Sequence, residues 1–217
     1  MDSVRDGSSK RLTKTQPDVI IDPFYCSSGF FIMNIFYLHH TPSTCATYHV
    51  DKHCVKMILE YAQLLSTAHR VLDGDQCICQ SKTGRKQTRF VLPDQREHLY
   101  YTATHINHPS AVWVRQSSEN YMWLVELLSE LCGEYTHRYG KVHKCEQTGL
   151  VDMLYTNIPK NIPRKSFTEP TPAMPDQYKV VGDSVQSYIN YYNGDKQRMF
   201  SWKNREVPPF ILTNHGE

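Results

Sequence analysis

Five side chains between positions 49 and 63 can move protons, carry charge or hold a ligand: His49, His53, Lys56, Glu60 and Gln63. Set at 100° per residue around a helix axis, they fall within about 80° of one another, with Lys52 just beside them. The rest of the circumference is Val50, Cys54, Val55, Met57, Ile58, Leu59, Tyr61, Ala62, Leu64 and Leu65, with Asp51 as the exception. A surface helix shows the reverse proportion, a limited apolar stripe on a polar cylinder. This pattern predicts a mostly buried helix with one narrow polar seam. The seam is either a solvated edge, with Lys56 and Glu60 as a plain i,i+4 pair, or a cleft whose Lys, His and Glu shift one another's pKa values. The apolar faces leave so little room for solvent that the cleft is the expectation. Its first chemistry is Glu60 as general acid/base beside an amine nucleophile. The alternative is a metal-dependent nuclease or hydrolase in which His49, His53 and Glu60 hold the ion. No further donor stands near them in sequence, and Lys52 and Lys56 would repel a cation, so neither a metal nor a cofactor is expected.

Two further groups are candidates for substrate binding. His105, Asn107 and His108 precede a helix whose N-terminal amides could receive a phosphate. On that helix Trp113, Ser117 and Asn120 share one face, Tyr121 lies adjacent, and Arg115 adds a cation. Trp123 reads as core, and Trp113 is open to either reading. Farther on, Tyr188, Tyr191, Tyr192, Lys196, Arg198, Trp202, Lys203 and Arg205 alternate rings and cations. Such interleaving suits bases stacked on rings with phosphates on cations, although Tyr-rich helices also pack into cores.

These residues need elements to hold them. Met33 to Leu38 is a short apolar run suited to a strand or an extended segment. Thr41-Pro42 is a helix start, a capping hydroxyl followed by proline. Helical pattern continues to about Arg70, with a possible interruption near Asp51, and Gly74 ends it. Residues 73–96 read as a loop. Asn107-His108-Pro109-Ser110 opens a long helix ending at Gly140, with Glu134 and Arg138 paired on its exposed side. The five prolines between Asn157 and Pro175 indicate a wrapped loop. Asp183 caps a third helix, Ser184 to Tyr192, ended by Asn193-Gly194. The fold class is therefore mainly α: a compact single-domain bundle of about three main helices with long loops and an irregular aromatic C-terminal tail.

The 217 residues, 40% hydrophobic and 21% charged, are ordinary for a globular chain. A net charge of +2 does not by itself announce a nucleic-acid binder. The seven cysteines are odd in number and scattered, which fits a reducing, intracellular compartment. Cys54 and Cys132 read as small buried hydrophobes. No run approaches the ~18 apolar residues of a membrane span, and the polar, basic stretch 1–16 lacks the apolar region of a secretory signal. A soluble cytoplasmic monomer is expected.

Together, MNIFYL at 33–38, Asp51-Lys52-His53 with Glu60 seven residues after the histidine, Asn107-His108-Pro109 and YINYYNGDK at 188–196 resemble the phage endonuclease-V-type pyrimidine-dimer DNA glycosylases. The chain is also similar to a phage-type branch sharing D-K-H-x-V-K-M-I-L-E and R-Y-G-K-x-H, here Asp51 to Glu60 and Arg138 to His143. The polar, basic stretch 1–16 makes the leader over 1–32 read as partly disordered, and the resemblance implies one glycosylase-like domain over 33–217. It implies a DNA-repair N-glycosylase and abasic-site lyase that acts on damaged pyrimidines in double-stranded DNA. An amine would attack the deoxyribose C1′ and form a Schiff base, with Glu60 as the catalytic carboxylate. His53 would contact DNA or orient a neighbour, and the Tyr-rich tail would hold the distorted duplex. The family's nucleophile is the α-amine of the residue after the initiator Met, which maps onto Asn34. Here 32 residues precede Met33, so that amine exists only if the chain starts at Met33 or loses its leader. Otherwise Lys52 or Lys56 must substitute, and a lysine amine needs desolvation to serve.

Overall fold

Every seam residue except His49 sits on one helix, and the tertiary contacts of that helix explain the rest of the architecture. The structure, a computed structural model, describes residues 33–80 and 83–212; the leader and Cys26 lie outside the described residues. Among these there are eight α-helices and one β-hairpin. In chain order they are α1 (Pro42–Tyr48), α2 (Asp51–Asp73), β1 (Asp75–Gln80), β2 (Lys86–Val91), α3 (Arg96–Leu99), α4 (Pro109–Gln116), α5 (Ser118–Tyr139), α6 (Lys144–Gln147), α7 (Leu150–Thr156) and α8 (Ser184–Asp195). The protein is mainly α, but its helices are more numerous and shorter than three main helices, and only α2 and α5 exceed twenty residues. No helix among the described residues is long and apolar enough to cross a membrane.

The core lies where α5 packs along α1 and α2, with α4 and α7 closing its sides. Met57, Ile58, Tyr61, Leu64 and Leu65 of α2 meet Leu124, Leu127, Leu128 and Leu131 of α5, all buried. The segment 33–38 has no regular secondary structure and is buried, with Leu38 N–H turned back onto Phe36 O at 3.1 Å.

Several boundaries differ from the sequence reading, each for a tertiary reason. The interruption expected near Asp51 falls at His49 and Val50, whose backbones are extended, and the helix then runs on to Asp73. The carbonyls freed there find other donors: Arg138 reaches Thr47 O at 3.0 Å and His49 O at 2.8 Å, and Trp202 Nε1 reaches Tyr48 O at 3.0 Å. Thr41 does occupy the N-cap position, but its hydroxyl makes no capping bond. The loop expected over 73–96 contains the antiparallel β1–β2 hairpin and ends where α3 begins. The long helix expected to Gly140 is two, broken at Ser117, where φ is −150°. It does end at Gly140, in the left-handed conformation at φ 65°. Glu134 and Arg138 are buried rather than an exposed pair. Asp183 caps α8 through Gln186 N, but the helix passes through Asn193-Gly194 to Asp195. The Tyr178 ring lies against Gly194 where a Cβ would stand, so close packing rather than chain termination explains that glycine.

Ser117 holds the proline-rich loop. Its hydroxyl contacts Lys165 O and Ser166 O and caps Glu119 N at 3.1 Å. Asn120 bonds both Trp113 O and Thr168, and Trp113 Nε1 donates to Thr168 O at 2.8 Å. We expect Ser117→Ala to destabilise the fold by about 1–2 kcal/mol in urea unfolding, from a lost cap and the lost bonds to the Lys165 and Ser166 carbonyls. A change below ~0.3 kcal/mol would show that the hydroxyl does not hold the loop.

Candidate functional site

The α2 seam places Lys52, His53, Lys56, Glu60 and Gln63 on one side of the helix. Lys52 and Lys56 are exposed, Gln63 is half-buried, and His53 and Glu60 are buried. Glu60 Oε1 receives Lys56 Nζ at 2.9 Å. Its Oε2 is buried and has no hydrogen-bond partner among the described residues. Burial raises the Glu60 pKa; the bond and charge of Lys56 and the charge of His105 oppose this without cancelling it.

His105 belongs to the second group of sequence candidates, and the fold brings it within electrostatic reach of Glu60. Thr67, two turns beyond Glu60 on α2, fixes this approach by accepting from Thr104 N at 3.2 Å. His105 has φ 47°, a left-handed conformation that a histidine adopts at some cost. Its Nδ1 meets Thr104 Oγ1 at 2.7 Å. Such backbone strain concentrates at functional sites. Asn107 is exposed. His108 caps α4 by accepting from Ser110 N, so that helix start already carries one ligand of its own. Arg115 is half-buried and donates to Ala111 O of its own helix.

His53 stacks on Phe36 with ring centroids 4.0 Å apart, and its Nδ1 meets Tyr192 Oη at 2.7 Å. Burial lowers its pKa well below the ordinary histidine value, with His49, Lys196 and Lys56 adding like charge. The ring is neutral at pH 7. Phe36 was not among the sequence candidates; only its place in the apolar run 33–38 hinted that it is buried.

His49 leaves the seam. It caps the end of α1, fully buried, with Nδ1 2.7 Å from Cys45 O and Nε2 3.2 Å from Tyr61 Oη. A carbonyl only accepts, so Nδ1 carries the proton and Nε2 accepts from Tyr61, whose oxygen in turn accepts from Phe36 N at 3.1 Å. Burial lowers the His49 pKa to about 4. This relay clamps segment 33–38 onto α1 and α2. With both ring nitrogens engaged, His49 does not join His53 and Glu60 as a metal-binding trio, and no group of three possible ligands occurs among the described residues.

The tail rings are core. Tyr188, Tyr191, Tyr192 and Trp202 are all buried, so they offer no open face for stacking. The cations beside them divide. Lys196 Nζ lies 4.2 Å from the Tyr191 ring centroid and adds positive charge at His53. Together with Arg198 it lines an open cleft of about 530 Å³ at the end of α8. Lys203 donates its backbone N–H to Asp51 while its ammonium lies over Tyr139. Arg205 pairs with Glu134 at 2.8 Å. Asn34 is buried, its Oδ1 has no partner among the described residues, and its backbone nitrogen is a peptide nitrogen.

The arrangement thus assembles a buried carboxyl with one open oxygen, an amine on its other oxygen, a strained histidine within charge range, and a neutral histidine held between rings. These groups can transfer protons and stabilise a cationic intermediate. Comparison of the chain with protein-family models, with curated proteins and with solved structures gives no match.

Proposed function

We propose that this protein is a DNA-repair N-glycosylase with abasic-site lyase activity on damaged pyrimidines in double-stranded DNA. The observation that carries the reading is the open Oε2 of buried Glu60, whose other oxygen holds the Lys56 ammonium at 2.9 Å. A buried carboxyl without a second partner costs stability, and a catalytic acid/base is a reason to keep one.

In this reading Glu60 accepts a proton from the Lys56 ammonium. The free amine attacks C1′, forming a C–N bond as the bond from C1′ to the base breaks; the base leaves with the electron pair and takes up one proton from the new C1′–N ammonium. Glu60 returns the proton to O4′, the sugar ring opens, and an imine joins Lys56 to C1′. Loss of a C2′ proton to the same carboxylate then expels the 3′ phosphate. Lys52 and Lys196 supply charge for the backbone, and His105 steadies the ionised carboxylate. Lys56 is exposed, so in this reading the desolvation that a lysine amine needs comes when the extruded sugar covers it.

The experiment is reductive trapping. Sodium borohydride added to protein and abasic duplex DNA is expected to give a covalent adduct, mapped by peptide sequencing to Lys56. Lys56→Arg retains the ion pair with Glu60 but cannot form the imine, so its adduct should fall to background. Intact nicking without any trapped adduct would remove the imine mechanism.

A further inference from the structure

The β1–β2 hairpin belongs to no part of this site. None of its described residues is buried, and only Cys79, Gln87 and Phe90 are partly covered. Ile78 is 74% exposed. A two-stranded ribbon without a covered face gains little from its own packing.

Its root, in contrast, is firmly built. Buried Arg70 donates to Phe90 O at 2.9 Å, Tyr100 O at 2.9 Å and Tyr101 O at 2.6 Å, and it pairs with Glu97. Glu97 also accepts from Leu92 N at 2.8 Å. At Gly74 a Cβ would lie 2.6 Å from Arg70 O, so glycine alone lets the chain turn from α2 into β1. The body holds the hairpin out by its base and leaves both faces bare.

The charge of the hairpin is one-sided. Its described residues carry Arg85, Lys86 and Arg89 against a single carboxylate, Asp75, in a chain whose net charge is only +2. The register sets Lys86 opposite Gln80 and Arg89 opposite Cys77, so these two cations stand on opposite faces of the ribbon. Six-residue strands span roughly 20 Å, and the B-DNA major groove, about 12 Å wide, admits a two-stranded ribbon. We infer that the β1–β2 hairpin is an arm that enters a groove of duplex DNA, with Lys86 and Arg89 meeting the phosphates of the two bordering strands. This rests on the DNA reading above and adds the surface that grips undamaged duplex.

The test measures affinity of the full chain for a short undamaged duplex, by fluorescence anisotropy across a salt series. The Lys86→Gln/Arg89→Gln double variant is expected to lower the magnitude of the slope of log K against log salt by about 2, at ~0.9 per phosphate contact, and to weaken binding roughly tenfold or more. A double variant with the same net charge, Lys141→Gln/Lys144→Gln, should leave the slope unchanged. Absence of duplex binding by the wild type, an unaltered slope in the hairpin variant, or an equal fall in both variants would overturn the arm. Reductive trapping on a single-stranded abasic oligonucleotide separates the two readings. Trapping retained with an unaltered slope removes the arm alone; no trapping with a reduced slope removes the lyase and leaves the arm.

Discussion

Glu60→Gln is expected to lower the rate of strand cleavage at abasic sites by roughly 10²–10⁴-fold, the usual contribution of a positioned acid/base group. The substitution keeps size and shape and removes the ability to exchange a proton together with the charge that pairs with Lys56. Buried Oε2 has no partner to lose, and the amide oxygen can still accept from Lys56, so the fold should survive. Stability supplies an independent readout. Burial raises the folded pKa of Glu60 above its ordinary 4.5. A group whose folded pKa is raised contributes stability that is fully present below the unfolded value and is lost as pH rises through the folded one. Wild type should therefore lose stability relative to Glu60→Gln as pH rises from about 4.5. Urea unfolding of both proteins across this range checks the sign. A wild-type advantage that grows with pH would contradict the raised pKa; unchanged cleavage by the Gln variant would take Glu60 out of the chemistry, and no cleavage by either protein would leave a non-catalytic DNA-binding protein.

The seam was legible because helical spacing is local. Once α2 forms, His53, Lys56 and Glu60 must share a side, and Gly140 and Asp183 marked helix ends through backbone chemistry that needs no partner. Distant contacts decided the rest. The sequence placed an interruption near Asp51 without a residue that enforces one; the break is held by Arg138 and Trp202. The hairpin escaped because the apolar/polar alternation that identifies a strand requires one buried face, and β1 and β2 have none. The tail rings could not be assigned from sequence, since a tyrosine suited to stacking on a base is equally suited to a core, and these chose the core. His105 and Glu60 stood in separate groups until Thr67 joined their elements.

Asp51, the charge that spoiled the apolar side of α2, leads to the largest expected loss of stability. Arg138 is fully buried and donates Nε to Glu134 at 2.7 Å, Nη1 to Asp51 at 2.9 Å and to His49 O, and Nη2 to Thr47 O. Segments 51–60 and 138–143 thus meet through the Asp51–Arg138 ion pair. The C-terminal segment closes over it, with Ser201 and Lys203 N on Asp51 and Arg205 on Glu134. Burial alone would raise both carboxyl pKa values. The Ser201, Lys203 N–H and Arg138 bonds outweigh it at Asp51, those of Arg205 and Arg138 outweigh it at Glu134, and both are lowered. Removing one member of a buried pair costs about 3–5 kcal/mol, against a total of roughly 5–15 kcal/mol for a domain. Arg138→Met, which fills the space without a donor, should therefore lose about that amount at pH 7. Arg138→Lys should recover only part of it, because an ammonium has three donors and no planar fork to span these acceptors. Lowered folded pKa values contribute stability that is present above the unfolded values and is lost as pH falls through the folded ones. The penalty of Arg138→Met should accordingly shrink as pH falls below about 4, where Asp51 and Glu134 take up protons in either protein. Urea unfolding at neutral and acid pH measures both quantities, and a penalty independent of pH would show that Arg138 acts through packing and its two carbonyl bonds alone.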